Sequence, residues 1–535
     1  MNNAKEILQA IQNKETWKEN SLQKILKKFP KDGKGLYRHD ELVEAYNNLV
    51  SSKQIAKNKT LEQRIKMKPT RTQSGVTTVT VLMKPYPCPG QCIFCPNDKN
   101  MPKSYIASEP GAQRALAHNF DPYEQTKKRI EALQNIGHST DKIELIVLGG
   151  TCSFYPESYQ IWFVKRCFDG MNSFDKNFIE KTISEEHITW KDLEEVHKFN
   201  ETTICRNVGL VFETRPDYIT TDEIIRLRKL GATKVQIGIQ SLNNKVLELN
   251  RRGHKIDSTK EAFRLLRLAG FKIHGHIMPN LYGSNLKKDI RDYKQLWSKD
   301  YYPDELKIYP TSIIPNTQLE KLYEDGKFVP YTHDQLLKYF VTILPTTPRF
   351  ARLTRVIRDI PSDEIVAGNK ATNFRQIAER EIESLGLRVQ DIRSREIRNR
   401  EVTWEDIKEE VIKYKTSVNT EYFISYITKD TDQICGFLRL SIPKKSLSKK
   451  NFIRELQNTS MIREVHVYGS VVNIGDSSKG ESQHLGLGKK LIEKAETLSL
   501  ENDYTKISVI SAIGTRKYYE KRGFKKDELY MNKNI

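Results

Sequence analysis

Three cysteines, Cys88, Cys92 and Cys95, fall at C-x3-C-x2-C spacing in the string PYPCPGQCIFCP. Three thiolates on one short loop can hold three irons of a cubane iron–sulfur cluster and leave the fourth iron open to an outside ligand. Pro87, Pro89 and Gly90 suit a loop that curls around such a cluster, and Ile93 and Phe94 offer an apolar shell. The alternatives are a zinc site short of one ligand, or three unrelated thiols. The next Cys or His is His118, far outside zinc-finger spacing. Cys152, Cys167, Cys205 and Cys435 are scattered and read as small buried hydrophobes. Toward the other end, Gln483-His484-Leu485-Gly486-Leu487-Gly488 leads straight into a helical KKLIEKAETLSLE. A glycine-rich turn at a helix N-terminus presents backbone N–H groups and the positive end of the helix dipole, which suits a pyrophosphate.

Both motifs need elements to hold them. From residue 75, short β-rich runs alternate with helical ones. Strands are predicted at 75–83, 142–150, 208–214, 233–240, 271–279 and 304–310, with helices such as DPYEQTKKRIEALQNIG between them. Gly137, Gly231 and Gly270 stand where a helix takes a left-handed C′ residue. Strand–helix alternation implies parallel β/α units, hence an α/β fold built on a partial or full barrel, with chemistry at the C-terminal strand ends. The cysteine loop follows the first strand at that end, and Glu213, Arg215, Gln240 and His276 lie on later ones. Residues 1–74 read as a basic helical region, 75–314 as the β/α domain, 315–415 as a charged bridging segment and 416–535 as an α+β domain. In the last, EYFISYI and QICGFLRLSI form an antiparallel pair, MIREVHVYG a further strand, and GTRKYY a short helix.

Composition bounds the partners. The 535 residues suggest about three domains, and 38% hydrophobic with 29% charged residues excludes wholesale disorder. Seven cysteines are too few for a disulfide scaffold. No run approaches the roughly 20 apolar residues of a membrane span, and the N-terminus has no secretory apolar region, so a soluble cytoplasmic protein without a membrane partner is expected. Lys plus Arg is 88 against 68 Asp plus Glu, a formal +20, which points to a polyanion. Residues 1–87 hold 17 Lys/Arg against 8 Asp/Glu, together with Trp17, Phe29, Tyr37 and Tyr46. That combination can neutralise phosphates and stack on bases.

The cysteine motif after the first strand of a β/α region resembles the radical S-adenosylmethionine (SAM) superfamily. The resemblance implies a 4Fe-4S cluster on Cys88, Cys92 and Cys95, whose open iron binds SAM for reductive cleavage to a 5′-deoxyadenosyl radical. Leu148-Gly149-Gly150-Thr151 matches the superfamily's glycine motif, so Gly149, Gly150 and Glu213 are the implied SAM contacts; many relatives carry Glu where this chain has Thr151. The Gln483–Gly488 string resembles the acyl-CoA loop of GCN5-related N-acetyltransferases (GNAT). That likeness implies acetyl-CoA contacts from Glu464, Val465, His466 and Val467 on the adjacent strand, and from Leu487, Gly488 and Lys489. It makes Tyr518 and Tyr519 the implied catalytic hydroxyls, hydrogen-bonded to the thioester or acting as acid.

The two together, behind a basic N-terminal region, resemble the elongator protein three family, the catalytic subunit of Elongator. The most specific strings are DPYEQ (121–125), GHSTDK (137–142), ETRPDY (213–218), NRRGH (250–254), KIYPT (307–311), REVHVYG (463–469) and GTRKYY (514–519). The family implies modification of the tRNA wobble uridine (U34) at C5, giving carboxymethyluridine from acetyl-CoA by radical chemistry. It implies that Lys142 contacts acetyl-CoA from the radical domain, that the acetyl end points toward that domain, and that the two sites open onto one chamber. The implied partners are the anticodon loop of tRNA and an electron donor. The compact cysteine spacing implies action alone or as a homodimer, without Elongator-type partner subunits. VAGNKATNFR (366–375) and LRVQDIR (387–393) lack Cys and His, so no structural zinc is expected there. The rival readings are a protein lysine acetyltransferase with a structural cluster, and a non-catalytic tRNA-binding scaffold.

Overall fold

A computed structural model of the chain describes residues 3–18, 20–31, 35–72, 74–358, 360–398, 400, 402–468 and 485–535. Seven strands, β1 (Thr77–Leu82), β2 (Lys142–Leu148), β3 (Arg206–Thr214), β4 (Lys234–Gln240), β5 (Lys272–Ile277), β6 (Glu305–Ile308) and β7 (Arg352–Arg355), pair in sequence order, all parallel. β1 and β7 are the two edges and do not pair with each other, so the sheet is an open half-barrel. Gly137, Gly231 and Gly270 have positive φ at the helix ends the sequence marked.

Alternation along each strand decides what faces where. In β2, Ile143, Leu145 and Val147 are fully buried beneath helices such as Pro122–Asn135 and Glu157–Asn172. Lys142, Glu144, Ile146 and Leu148 take the opposite face and line the barrel interior. β1 repeats the pattern: Val79 and Val81 go under the helices, Thr78 and Thr80 face inward. The barrel therefore has an apolar outer layer and a polar lumen.

The second sheet runs in the order β13-β14-β12-β11-β10-β9-β8, with β8 (Ile407–Lys415), β9 (Asn419–Thr428), β10 (Ile434–Pro443), β11 (Ser460–Val467), β12 (Lys506–Val509), β13 (Lys525–Lys526) and β14 (Met531–Asn534). The helix Leu485–Glu501 lays Leu491, Ile492 and Ala495 on this sheet against Ile424, Leu438 and Ile462. β9 and β10 form the expected antiparallel pair. Residues 315–415, read from sequence as a bridge, supply strands to both sheets: β7 closes one edge of the half-barrel and β8 one edge of the other. Arg352–Arg355 is a four-residue Arg-Leu-Thr-Arg, too short and too charged to stand out from the polar segment around it.

At the N-terminus, helices Ala4–Gln12, Ser21–Leu26, His39–Ser51 and Lys59–Ile65 enclose a separate core of Ile7, Leu8, Ile11, Leu42, Tyr46 and Leu61. This unit docks on the loop before β2, where Met67 N donates to the Ile136 carbonyl (3.2 Å) and Thr72 Oγ1 meets His138 Nδ1 (2.7 Å).

The second sheet seats on the N-terminal ends of the parallel strands through a buried ionic network. Arg463 on β11 reaches both Asp304 oxygens (2.6 and 2.7 Å) and Glu421 (2.9 Å), with Arg439 and Arg267 also at Asp304 (3.4 and 3.6 Å). Burial alone would raise the Asp304 carboxyl; the three guanidiniums overcome it and hold it well below the usual range. No helix among the described residues is long and apolar enough to cross a membrane.

Candidate active site

The loop after β1 carries Cys88, Cys92 and Cys95 across the C-terminal end of the barrel. Cys88 Sγ accepts from Gly90 N (3.4 Å) and lies 3.7 Å from Thr151 Oγ1. Cys92 Sγ accepts from Arg252 Nη1 (3.2 Å). A hydrogen bond from the Cys95 thiol, then the charges of Arg252 and Arg215, bring Cys92 down to about 5 against the opposing effect of burial. Arg215 is fixed from the far side: Asp217 accepts from its Nε and Nη2 (3.0 and 2.9 Å) and the Arg252 carbonyl from Nη2 (2.5 Å).

The donor set fits an iron–sulfur cluster with one open position. Among the described residues no three His, Cys, Asp or Glu converge on a single ion, whereas a cubane takes each thiolate on a separate iron. The thiols border a cavity of about 110 Å³ shared with Gly150, Thr151, Glu213, Gln240 and His276. Arg215 Nη1, Gln240 Oε1 and His276 Nε2 are buried on its wall with no hydrogen-bond partner among the described residues. Such atoms are costly unless a ligand satisfies them. Gly150 has φ +75°, and a Cβ there would sit 2.8 Å from the Lys103 carbonyl oxygen, so the cysteine loop and the β2 loop close on one another only around glycine. Gly149 packs behind this against Met83 and Tyr155 and is not on the cavity wall. Glu213 accepts from Tyr105 OH (2.5 Å).

Most of the residues that the sequence reading assigned to acetyl-CoA lie at the opposite end of the barrel. β12 pairs with β11 only over Ser460–Ile462, so β11 splays from it beyond that point, and Glu464–Val467, paired with β10 on one side, have no strand on the other among the described residues. Glu464, Val465, His466, Val467, Tyr518, Tyr519 and, from β2, Lys142 border one chamber. Gly488 carries the Tyr518 hydroxyl where a Cβ would lie, at 2.5 Å, and Tyr518 meets Tyr519 edge-on at 5.2 Å. Burial raises both phenols. Leu487 is buried in the core, while Lys489 is exposed and pairs with Glu493 (3.6 Å), away from the chamber. Gln483 and His484 lie outside the described residues.

The chamber, about 1980 Å³, runs through the barrel lumen from β11 to the cysteine end, and Glu213, His276, Tyr309, Ile357 and Arg358 border both cavities. Its walls carry a charge ladder. Lys272 bridges Glu464 (2.6 Å) and Glu305 (3.2 Å), and Lys234 bridges Glu305 (3.0 Å) and Glu144 (2.7 Å). One layer nearer the cysteines, Lys307 Nζ donates to Gln236 Oε1 (2.7 Å).

Three family models match the chain: the Radical SAM superfamily over residues 86–295, the Radical_SAM C-terminal domain over 303–384 and the Acetyltransferase (GNAT) domain over 478–534. The tRNA uridine(34) acetyltransferase of Methanocaldococcus infernus is 37% identical, aligned over 96% of this chain and 98% of its own length. The Elongator complex protein 3 of Saccharomyces cerevisiae is 34% identical over 97% and 93%. The chain belongs to the Elongator complex protein 3 family. The solved structure of the archaeal Methanocaldococcus infernus Elp3 with an N-terminal deletion superposes with a TM-score of 0.73 at 35% identity, covering 86% of this chain and 99% of that one. The radical SAM domain brings a 4Fe-4S cluster and SAM to this family, and the GNAT domain brings acetyl-CoA.

For this Elongator complex protein 3 family member, motif reading reached the two ends of the site and missed the middle. Lys234, Gln236, Lys272 and Glu305 belong to no motif, and Lys307 opens the KIYPT string, which assigned it no role. Their signal was present in another form. Parallel strands buried on both faces read as continuous apolar runs. Here KVQIGIQ, KIHGHI and ELKI place a polar residue at every second position, Gly238 excepted, which marks a polar lumen.

Proposed function

We propose that this chain modifies the tRNA wobble uridine at C5, forming carboxymethyluridine from acetyl-CoA. The observation that carries the reading is that the chamber reaching the splayed strand of the GNAT domain shares wall residues, Glu213, His276 and Tyr309 among them, with the cysteine cavity. A carbon–carbon bond between an acetyl methyl and a base needs thioester, base and radical source within one enclosed space. When bound on Cys88, Cys92 and Cys95, a 4Fe-4S cluster holding SAM supplies a reductively generated carbon radical that takes hydrogen from a methyl group.

The chain's own residues do the rest. The β12-side backbone edge of Glu464–Val467, which no strand covers among the described residues, and the helix N-terminus at Leu487–Gly488 hold the pantetheine arm and pyrophosphate. Tyr519 and Tyr518 stand beside the thioester, Lys142 closes the cleft from the barrel side, and Gly150 and Glu213 serve the SAM end, with Gly149 packed behind them. The phenols stay protonated through the neutral range and act as donors. The half-barrel is open between β1 and β7, and that opening is bordered by Lys68 and Arg114 on one side and Arg375, Arg388, Arg393 and Arg398 on the other. A splayed anticodon base enters there with its phosphates on the cations, aided by the basic residues 1–74. The reading includes an external electron donor, a cytoplasmic setting, and a chain acting alone or as a homodimer without partner subunits.

Mass spectrometry of wobble nucleosides after anaerobic incubation with SAM, acetyl-CoA, a reductant and tRNA tests this reading. Carboxymethyluridine that requires all four is the expected result. CoA release onto protein lysines without SAM or tRNA favours the lysine acetyltransferase instead.

A further inference from the structure

Strands β4, β5 and β6 each send a lysine into the barrel lumen, Lys234, Lys272 and Lys307, and one is unlike the others. Lys234 and Lys272 each bridge two carboxylates. Lys307 has no carboxylate within ion-pair distance among the described residues; its partner is the neutral side chain of Gln236. An ammonium has no acceptor, so the Gln236 oxygen must face Lys307, and this sets the amide's orientation. Gln236 Nε2 then donates to no protein atom among the described residues, and both side chains border the chamber. From Nε2 through Oε1 to Nζ the layer presents donor, acceptor, donor. On the next layer toward the cysteines, His276 and Tyr309 meet edge-on with centroids 4.7 Å apart and border both cavities.

Resting on the function proposed above, we propose that Gln236 and Lys307, with His276 and Tyr309 as a stacking wall, form the pocket that reads the uracil edge of the target base. Uracil offers acceptor, donor, acceptor at O4, N3–H and O2. Gln236 Oε1 accepts from N3–H, its Nε2 donates to one carbonyl, and Lys307 Nζ donates to the other. Cytosine opposes this set twice: its N3 is an acceptor facing Oε1, and its amino group is a donor facing a donor. A site whose buried polar groups are left unpaired by the wrong base discriminates strongly. The pocket lies between the thioester strand and the cysteines, where C5 must be reached from both. Burial brings Lys307 down to about 8, so at neutral pH it remains mostly an ammonium donor.

The test uses the cluster-reconstituted full chain with anticodon stem-loops carrying U34, C34 or 5-fluorouridine at position 34, comparing wild type with Lys307→Met, Lys307→Arg and Gln236→Leu. Phosphate contacts dominate affinity, so the stem-loop dissociation constants should stay within about threefold. The 19F shift on binding should appear in wild type and Lys307→Arg and vanish in Lys307→Met and Gln236→Leu. The rate constant kcat/KM for carboxymethyluridine should drop on the order of 10²-fold in those two, with the preference for U34 over C34 falling alongside. Gln236→Asn serves where Gln236→Leu melts early. Folded variants with wild-type 19F shifts and wild-type base preference overturn the pocket. A wild type that binds 5-fluorouridine with the expected shift but makes no carboxymethyluridine overturns the functional reading and leaves the pocket standing.

Discussion

At the scale of single residues, the cysteine loop shows how little freedom a cluster site leaves. Arg215 is tied to Asp217 and to the Arg252 carbonyl, so it cannot retreat. A Cβ on Gly90 would fall well inside contact distance of Arg215 Nη1 and 3.5 Å from Cys92 Sγ. Gly90→Ala should therefore leave a folded protein whose visible absorbance on anaerobic reconstitution falls at least several-fold. Full cluster loading in that variant would mean the loop has slack the geometry does not show. Cys92→Ala should abolish 5′-deoxyadenosine formation and leave tRNA affinity within about twofold, because phosphate contacts lie elsewhere. Loss of affinity would instead give the cysteines a structural role.

At the scale of elements, β11 is both a structural strand and one wall of the chamber. Burial would raise the carboxyl of Glu464, but Lys272 and Arg439 hold it at about 2. His466, packed between Phe437 and Tyr468, is pushed by burial down to about 4. The signs agree. A histidine neutral in the fold is protonated in the unfolded chain below about 6.5, so stability is intact above that pH and falls as pH drops from 6.5 toward 4. The Glu464 contribution is present above about 4.3 and is lost between there and 2. Thermal melts across this range should show a midpoint falling from pH 6.5 downward, and His466→Gln should flatten the 6.5-to-4 limb. An unchanged limb in that variant would assign it to other buried histidines such as His274 and His276, which burial also lowers.

At the scale of the whole molecule, the ionic network around Asp304 holds the GNAT sheet beneath the barrel. Removing one partner of a buried pair strands the others, typically at a cost of about 3–5 kcal/mol. Asp304→Ala leaves Arg463, Arg439 and Arg267 facing one another with, among the described residues, only Glu421 and Glu464 to neutralise them. Its melting midpoint should fall by several degrees, and proteolysis should cut between the domains while each sheet stays protected. A variant as resistant as wild type would show that the apolar interface alone suffices. The charge of the molecule bears on its partner in the same way. A surface that neutralises six or more phosphates should lose about 10³-fold in tRNA affinity between 50 and 200 mM salt. A flat salt response would remove the polyanion from the account.

The residues assigned to covalent and cofactor chemistry stood out in the sequence because their spacing is local. Three thiols within eight positions, a glycine turn before a helix and paired tyrosines are constraints a loop or a helix end imposes on its own sequence. Alternating strands and helices likewise declared the α/β class, and the C′ glycines marked where helices stop. What the chain could not declare is which end of the barrel receives the second domain. That depends on Arg463 meeting Asp304, residues 159 positions apart with no pattern linking them. The same docking sets Glu464 over Lys272 and turns the inward polar positions of β2, β4, β5 and β6 into one channel between two cofactor ends. A period-two polar stripe says only that a strand face is wet. Whether that face meets bulk water or a closed chamber is decided by long-range packing, because burial belongs to the assembled surfaces and not to any one strand.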